Sequence, residues 1–356
     1  MNAVSLAGKV QTVLGPIDPE DLGVTMTHEH LLVSTIGVYK EPQEASLRAK
    51  YNAPFSIEIL GWLLHGRGIN KDNSKLDHIP TTVSEVGLYK EFGGSALVDA
   101  TSLGLGRDPV GLTRISRATG VHVIMGSSFY VGVTHPADMD DRSEESLAEQ
   151  IVGDVVRGVG STGIRSGVMG EVGCTWPLRP NERKVLRATA RAQRLTGAPI
   201  LIHPGRDQSS PGEIMEILLD AGADPKRVIV GHLDRTIFDK KLLKELADTG
   251  CFLEYDVFGQ ETSLYPAAPH IDMPNDAQRL NMLAWLISEG HGGQLLVSHD
   301  IARKNRLVQY GGHGYCYFLE YMVPRMRIKG FKEDAIRRIL VDNPKRALTF
   351  VEPVDG

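Results

Sequence analysis

The stretch SGVMGEVGCTWPLRPNERKVLRATARAQRLTGAPILIHPG, residues 166–205, decides the fold. It opens on a short apolar run (166–173), crosses an amphipathic segment and closes on a second apolar run (199–205) that ends in a histidine. Within 181–197 the apolar residues recur at helical spacing; Asn181 is a predicted N-cap and Gly197 a predicted stop. Strand, helix and strand in this order read as one βαβ unit of a parallel sheet.

The same grammar extends in both directions. Strand-like runs occupy 24–33, 96–102, 122–128, 166–173, 199–205, 227–234, 251–258 and 294–300. Most begin with unbroken apolar residues, the signature of strands buried on both faces. Helical patterns lie between them at 107–119, 144–159, 181–197, 211–222, 239–250 and 275–290. Eight strands alternating with helices predict an α/β protein built as a single (β/α)8 TIM barrel. An open doubly wound sheet is the other α/β reading, but it offers no reason for so regular a count. No internal repeat, low-complexity tract or linker interrupts the pattern, so residues 1–356 are read as one domain. Residues 35–80 form an insertion after the first strand, with helix-compatible EASLRAKYNA and FSIEILGWLLHG. On a barrel this insertion sits over the C-terminal face, where a lid or a subunit contact is expected; monomer and homodimer both remain open.

Composition narrows the class. Hydrophobic residues make up 42% of the 356 and charged residues 23%, which excludes disorder and collagen-like chains. A net charge of −5 argues against nucleic acid or an anionic membrane as partner. The three cysteines, Cys174, Cys251 and Cys316, are too few and odd in number for a disulfide framework. The opening MNAVSLAGKVQTVLG carries no secretory pattern, and no run of 18 apolar residues exists. The expectation is a cytoplasmic protein acting on a small molecule.

Chemistry-bearing residues gather at the ends of the predicted strands. His28 and His30 stand in THEH near the end of the first strand, Glu171 ends the fourth in MGEVG, and His203 ends the fifth in LIHPG. His232 ends the sixth in VGHLD and Asp300 the eighth in VSHD. Barrel chemistry is built at this end of the strands. Singly, each is as compatible with a hydrogen-bonded structural residue or a cap; together the six form a pattern that chance placement does not explain. Residues i and i+2 of a strand share a face, so His28 and His30 can grip one ion. Imidazole and carboxylate suit Zn²⁺, and also Mn²⁺, Fe²⁺ or Co²⁺. Two such divalent metal ions against Glu171, Asp300 and a hydroxide leave a net positive charge, suited to a developing oxyanion. His299 points to the opposite side of its strand and is expected to be structural. Cys174 needs no nucleophilic role beside such a centre.

HxH, Glu, His, His and Asp in this strand order resemble the phosphotriesterase family of the amidohydrolase superfamily. The resemblance runs from GKVQTVLG to NPKRALTF, and GEVGCTWPL, IHPGR, HLDRTIFDKK and YGGHGY resemble its phosphotriesterase-related branch. The name-giving enzymes carry a carboxylated lysine on the fourth strand. Glu171 replaces it with the same charge and no need for carbon dioxide, which argues against efficient phosphotriester cleavage.

The resemblance implies that His28, His30 and Asp300 hold one metal, His203 and His232 the other, and that Glu171 bridges them. It implies attack by a metal-bridging hydroxide, with Asp300 as general base and then acid. The implied reaction is hydrolysis of small N-acyl amino-sulfonates, above all N-acetyltaurine to taurine and acetate. A sulfonate needs cations; Arg206, Arg235, Arg303 and Lys304 follow ligand positions closely enough to reach the pocket mouth. Tyr130 resembles the substrate-facing tyrosine of lactonase relatives, and His313 and Tyr315 lie on the loop after the eighth strand. Two other functions stay open: a lactonase or promiscuous organophosphate hydrolase on the same metal centre, and a silent binding protein on the same barrel.

Overall fold

Eight short parallel strands, apolar on both sides, form the frame of the protein. The structure is a computed structural model and describes residues 6–65, 69–262 and 264–354. The strands are β1 (Thr25–Glu29), β2 (Ala96–Asp99), β3 (His122–Met125), β4 (Met169–Gly173), β5 (Ile200–His203), β6 (Val228–Val230), β7 (Phe252–Tyr255) and β8 (Leu295–Val297). β1, β2 and β3 pair in parallel as one set, and β4 through β8 as another. Hydrogen bonds cross both seams. Gly167 N donates to Met125 O at 2.9 Å between β3 and β4, and Asp300 N donates to His28 O at 3.2 Å between β8 and β1. The result is the (β/α)8 ring expected from the sequence.

Alternation along each strand explains why the runs read as continuously apolar. Ala96, Val98, Ile124, Leu201, Ile229 and Leu296 form an inner cluster. Their neighbours Leu97, Val123, Ile200, Val228 and Leu295 belong to the larger cluster under the helices. Each strand therefore needs apolar residues at successive positions. The foot of the barrel is filled by a hairpin, Val10–Thr12 with Gly15–Ile17, whose Val10 packs with Leu22, Ala347 and Leu348.

Every strand but β4 ends earlier than its apolar run suggests. His30 lies one residue past β1, His232 two past β6, and Asp300 three past β8. His232 and Asp300 adopt left-handed backbone, φ 56° and 52°, which no strand can continue. One helix boundary also differs from the sequence reading. The helix Pro180–Thr196 begins at Pro180 and is preceded by Arg179, so Asn181 lies inside it rather than at the cap. The reason is Glu182, whose carboxylate accepts from Arg179 N and Thr175 N, both at 3.0 Å. Gly197 does end this helix, at φ 69°.

The insertion contains helices Ala45–Asn52 and Ile57–Leu64, and its ends pair as Val33–Ser34 with Lys75–Leu76. It docks on the loop after β8. Lys304 N donates to Asn73 O at 3.0 Å, Lys304 Nζ reaches Asp72 Oδ1 at 2.6 Å, and the Phe55 and Tyr310 rings meet edge to face at 5.1 Å. No helix among the described residues is long and apolar enough to cross a membrane.

Candidate metal centre

Glu171 stands at the middle of the C-terminal face, buried on β4. Its Oε1 lies 3.2 Å from His30 Nε2. Its Oε2 lies 2.7 Å from His203 Nδ1, 3.4 Å from His28 Nε2 and 3.5 Å from His232 Nε2. Asp300 Oδ1 approaches His30 Nε2 at 3.3 Å and His28 Nε2 at 4.0 Å. His203 Nδ1 and His232 Nε2 are 2.8 Å apart. The six strand-end residues thus converge from five strands. Two overlapping groups, His28–His30–Asp300 and His28–Glu171–His232, each bring their ligand atoms within 4.8 Å of one another.

This donor set fits divalent ions. His28 Nε2 is fully buried and has no hydrogen-bond partner, an arrangement that is costly unless a further group meets it. Imidazole nitrogens gathered on both oxygens of one carboxylate are the chemistry of a metal site in which that carboxylate is shared. Burial pushes the His203 ring down to about 3, which keeps it in the neutral form that ligates.

A layer behind the ligands fixes their orientation. Asp256, one residue past β7, places Oδ2 2.9 Å from His28 Nδ1 and Oδ1 2.7 Å from His232 Nδ1. It also accepts from His232 N at 2.9 Å, holding that left-handed residue in place. With an Asp256 oxygen beside Nδ1 of both rings, hydrogen-bonded to that of His232, Nε2 of each faces the centre. Burial alone would raise Asp256; the His232 and His28 rings overcome it and hold the carboxyl well below its usual range. Thr101 Oγ1 meets His30 Nδ1 at 2.9 Å and orients that ring likewise. Glu29 accepts from His299 N at 2.9 Å and Ile301 N at 3.1 Å, which clamps the backbone on both sides of Asp300. His299 is indeed directed away from the centre and bonds to Glu29 and to Phe318 N. Sequence reasoning missed Asp256. The available signal was LEYDVF, where two acids two residues apart interrupt an apolar strand. Thr101 left no such mark.

Above the centre lies a cavity of about 300 Å³ with His30, Glu171, His203 and Asp300 on its floor. Tyr39, Leu63, Leu64 and Ile69 of the insertion roof it, and Tyr130, Arg206, Arg235, Arg303 and Arg306 stand in its walls. The Tyr130 hydroxyl is 3.4 Å from both ring nitrogens of His203. Arg235 Nη2 is 3.4 Å from His203 Nε2. Arg206 donates to the Tyr265 hydroxyl at 2.8 Å and Arg303 to the Tyr39 hydroxyl at 2.9 Å.

His313 and Tyr315 correct the sequence reading, because neither lines this cavity. Tyr315 is buried and donates to His30 O at 2.7 Å, so it supports a ligand from behind. His313 packs between Gly259 and the Tyr317 ring, 5.2 Å away. The cause is the turn itself. Gly314 takes φ 69°, and Gly312 presses against the Arg306 backbone so closely that a Cβ there would lie 2.1 Å from Arg306 C. The turn therefore points its side chains into the barrel wall. Lys304 also leaves the cavity, drawn outward to Asp72.

Comparison with known proteins agrees with this architecture. The model of the phosphotriesterase family matches residues 8–348. An N-acetyltaurine hydrolase of Tetraodon nigroviridis is 46% identical, over 97% of this chain and 99% of that one. An N-acetyltaurine hydrolase of Homo sapiens is 44% identical over the same shares. The crystal structure of a resiniferatoxin-binding protein from Rhodobacter sphaeroides superposes with a TM-score of 0.92 at 33% identity, covering 97% of this chain and 98% of that one. The chain belongs to the phosphotriesterase family.

Proposed function

We propose that this phosphotriesterase-family chain is a metal-dependent amidohydrolase that cleaves small N-acyl amino-sulfonates, N-acetyltaurine to taurine and acetate first among them. One observation carries the reading: the cavity joins a His/Glu/Asp centre to walls holding four arginines, and the only carboxylates lining it among the described residues are Glu171 and Asp300. A small acyl amide with an anionic tail matches both ends. The activity named for the relatives at 44–46% identity supports it.

In this reading His28, His30 and Asp300 would hold one divalent ion, His203 and His232 a second, and Glu171 would serve both. Divalent ions held there, Zn²⁺ in our assignment, would supply a Lewis acid for the amide carbonyl and an acidified water near neutral pH. Asp300, whose side chain is 23% exposed at the cavity floor, takes the proton of the attacking water and delivers it to the departing amine. Tyr130 directs its hydroxyl to the reacting end beside His203. The insertion covers the mouth and keeps bulk water from the amide. The buried, free cysteines are in keeping with a reducing cytoplasm. The protein acts on a small molecule, not on nucleic acid or membrane, as one domain; a homodimer through the insertion is the arrangement we assign if it associates.

The test is taurine release from N-acetyltaurine by protein reconstituted with Zn²⁺ or Mn²⁺, with bound metal counted in parallel. Release that depends on metal and disappears in Glu171→Ala supports the reading. Full activity without metal overturns it. Preference for a neutral lactone would identify a lactonase, and ligand affinity without turnover a binding protein.

A further inference from the structure

We infer that Arg303 and Arg306 together form the subsite that receives the anionic tail of the substrate, a sulfonate or a carboxylate. The inference deepens the amidohydrolase reading and rests on it for the identity of the tail.

Backbone geometry brings the two cations to one side. Residues Lys304–Arg306 form a single 3₁₀ turn with Arg303 at its start, closed by Arg306 N donating to Arg303 O at 3.1 Å. Arg303 enters the turn in extended backbone, and the side chains of both 303 and 306 line the cavity. Lys304, between them, swings outward to Asp72. One turn thus sorts three cations, two into the cavity and one out of it.

Neither of these two arginines forms an ion pair with a carboxylate among the described residues. Arg303 is steered by the hydroxyl of Tyr39 at 2.9 Å and lies 5.7 Å from the centre of that ring, both neutral contacts. The Arg306 guanidinium makes no hydrogen bond or ion pair to any described residue. Burial, together with the neighbouring Arg303 charge, pulls Arg306 down to about 9. Asp300 acts on both from a distance, and Asp276 on Arg306, without a hydrogen bond or ion pair. Two like charges side by side with no carboxylate paired directly to them among the described residues are destabilising alone and become favourable once an anion lies between them. Two guanidinium forks carry five N–H groups each, of which one on Arg303 is donated to Tyr39, and an oxyanion tail accepts several of the others at once.

The other two arginines serve different places. Arg235 is only 2% exposed and lies against His203, at the reacting end. Arg206 is committed to Tyr265 and also borders a neighbouring groove with Asp207 and His270. Arg303 and Arg306 follow Asp300 by three and six residues. They therefore stand on the wall beside the carboxylate at the floor, a place a short tail can reach while its amide stays over the centre.

The test measures binding apart from turnover. Ethanesulfonate, which has no amide, is titrated calorimetrically into metal-loaded wild type, Arg306→Gln and Arg303→Gln. Each variant is expected to bind at least about tenfold more weakly, as loss of a charge-assisted contact predicts. With N-acetyltaurine and N-acetyl-β-alanine, KM is expected to rise by a similar factor with kcat little changed, while the neutral N-propylacetamide is hydrolysed as before. Arg306→Lys, which keeps the charge in a smaller change, is expected to recover part of the affinity. Failure of wild type to bind ethanesulfonate overturns the inference, as does unchanged binding in the variants or an equal loss on the neutral amide. Binding of ethanesulfonate with no taurine release from N-acetyltaurine would leave the subsite standing and overturn the amidohydrolase reading. Taurine release unaffected by either variant would do the reverse.

Discussion

Asp256 Oδ1 accepts from His232 Nδ1 at 2.7 Å, across the gap between the ends of β6 and β7. Its other oxygen lies 2.9 Å from His28 Nδ1. One carboxylate thus orients a ring from each of two strands, and both rings turn Nε2 to Glu171. Asp256→Asn keeps the shape but can no longer accept from both imidazoles through charged oxygens. Partners behind metal ligands are worth roughly 10–100-fold in metal affinity. The variant is expected to stay folded and to retain less metal after dialysis against a weak chelator. Wild-type metal retention would contradict the shared orienting role.

Arg279 is the largest fully buried side chain, and its Nε lies 2.9 Å from Asp234 Oδ2. It also pairs with Asp276. Arg279→Met leaves both carboxylates buried without their cation, and breaking a buried pair from one side costs about 3–5 kcal/mol. Chemical denaturation is expected to show a loss of that order. A change below about 1 kcal/mol would mean that Asp234 and Asp276 find other partners.

Docking of the insertion is expected to weaken in acid. Partial burial raises the Asp72 carboxyl, but the Lys304 ammonium and the Phe55 N–H outweigh this and hold it below its usual 3.8. A folded-state value below the unfolded one gives stabilisation that is present above pH 3.8 and is lost as pH falls through the folded value. Asp72 is part-exposed, so the effect is local and modest. Trp62 lies on the docked helix Ile57–Leu64 and reports on it. Its fluorescence is expected to shift below about pH 4 in wild type, and the shift should be absent in Lys304→Met, whose insertion is already loosened. A transition of the same size in both proteins would show that Asp72 is not its source.

The barrel was legible because its strands are buried on both faces, which writes eight apolar runs into the sequence at regular intervals. The ligand candidates were legible for a related reason: a histidine or acid ending an apolar run is conspicuous. What failed to show is whatever depends on neighbours distant in sequence. Arg179 precedes the helix instead of Asn181 capping it because Glu182 also accepts from Gly132 N at 2.9 Å, a residue on another loop. His313 and Tyr315 turn inward because Gly312 must press on Arg306. Arg306 itself looked like one basic residue in a basic loop. Its meaning lies in having no carboxylate paired directly with it among the described residues, which no local pattern encodes.

His232 and Asp300 both hold a left-handed backbone, at φ 56° and 52°. For a residue with a Cβ this conformation is unfavourable by roughly 1 kcal/mol, and glycine adopts it freely. His232→Gly and Asp300→Gly are therefore expected to melt at or above the temperatures of the corresponding alanine variants, although all four lack a ligand. Stability and chemistry are opposed at these two positions. Histidine and aspartate in such strained positions serve what the barrel does rather than how well it folds.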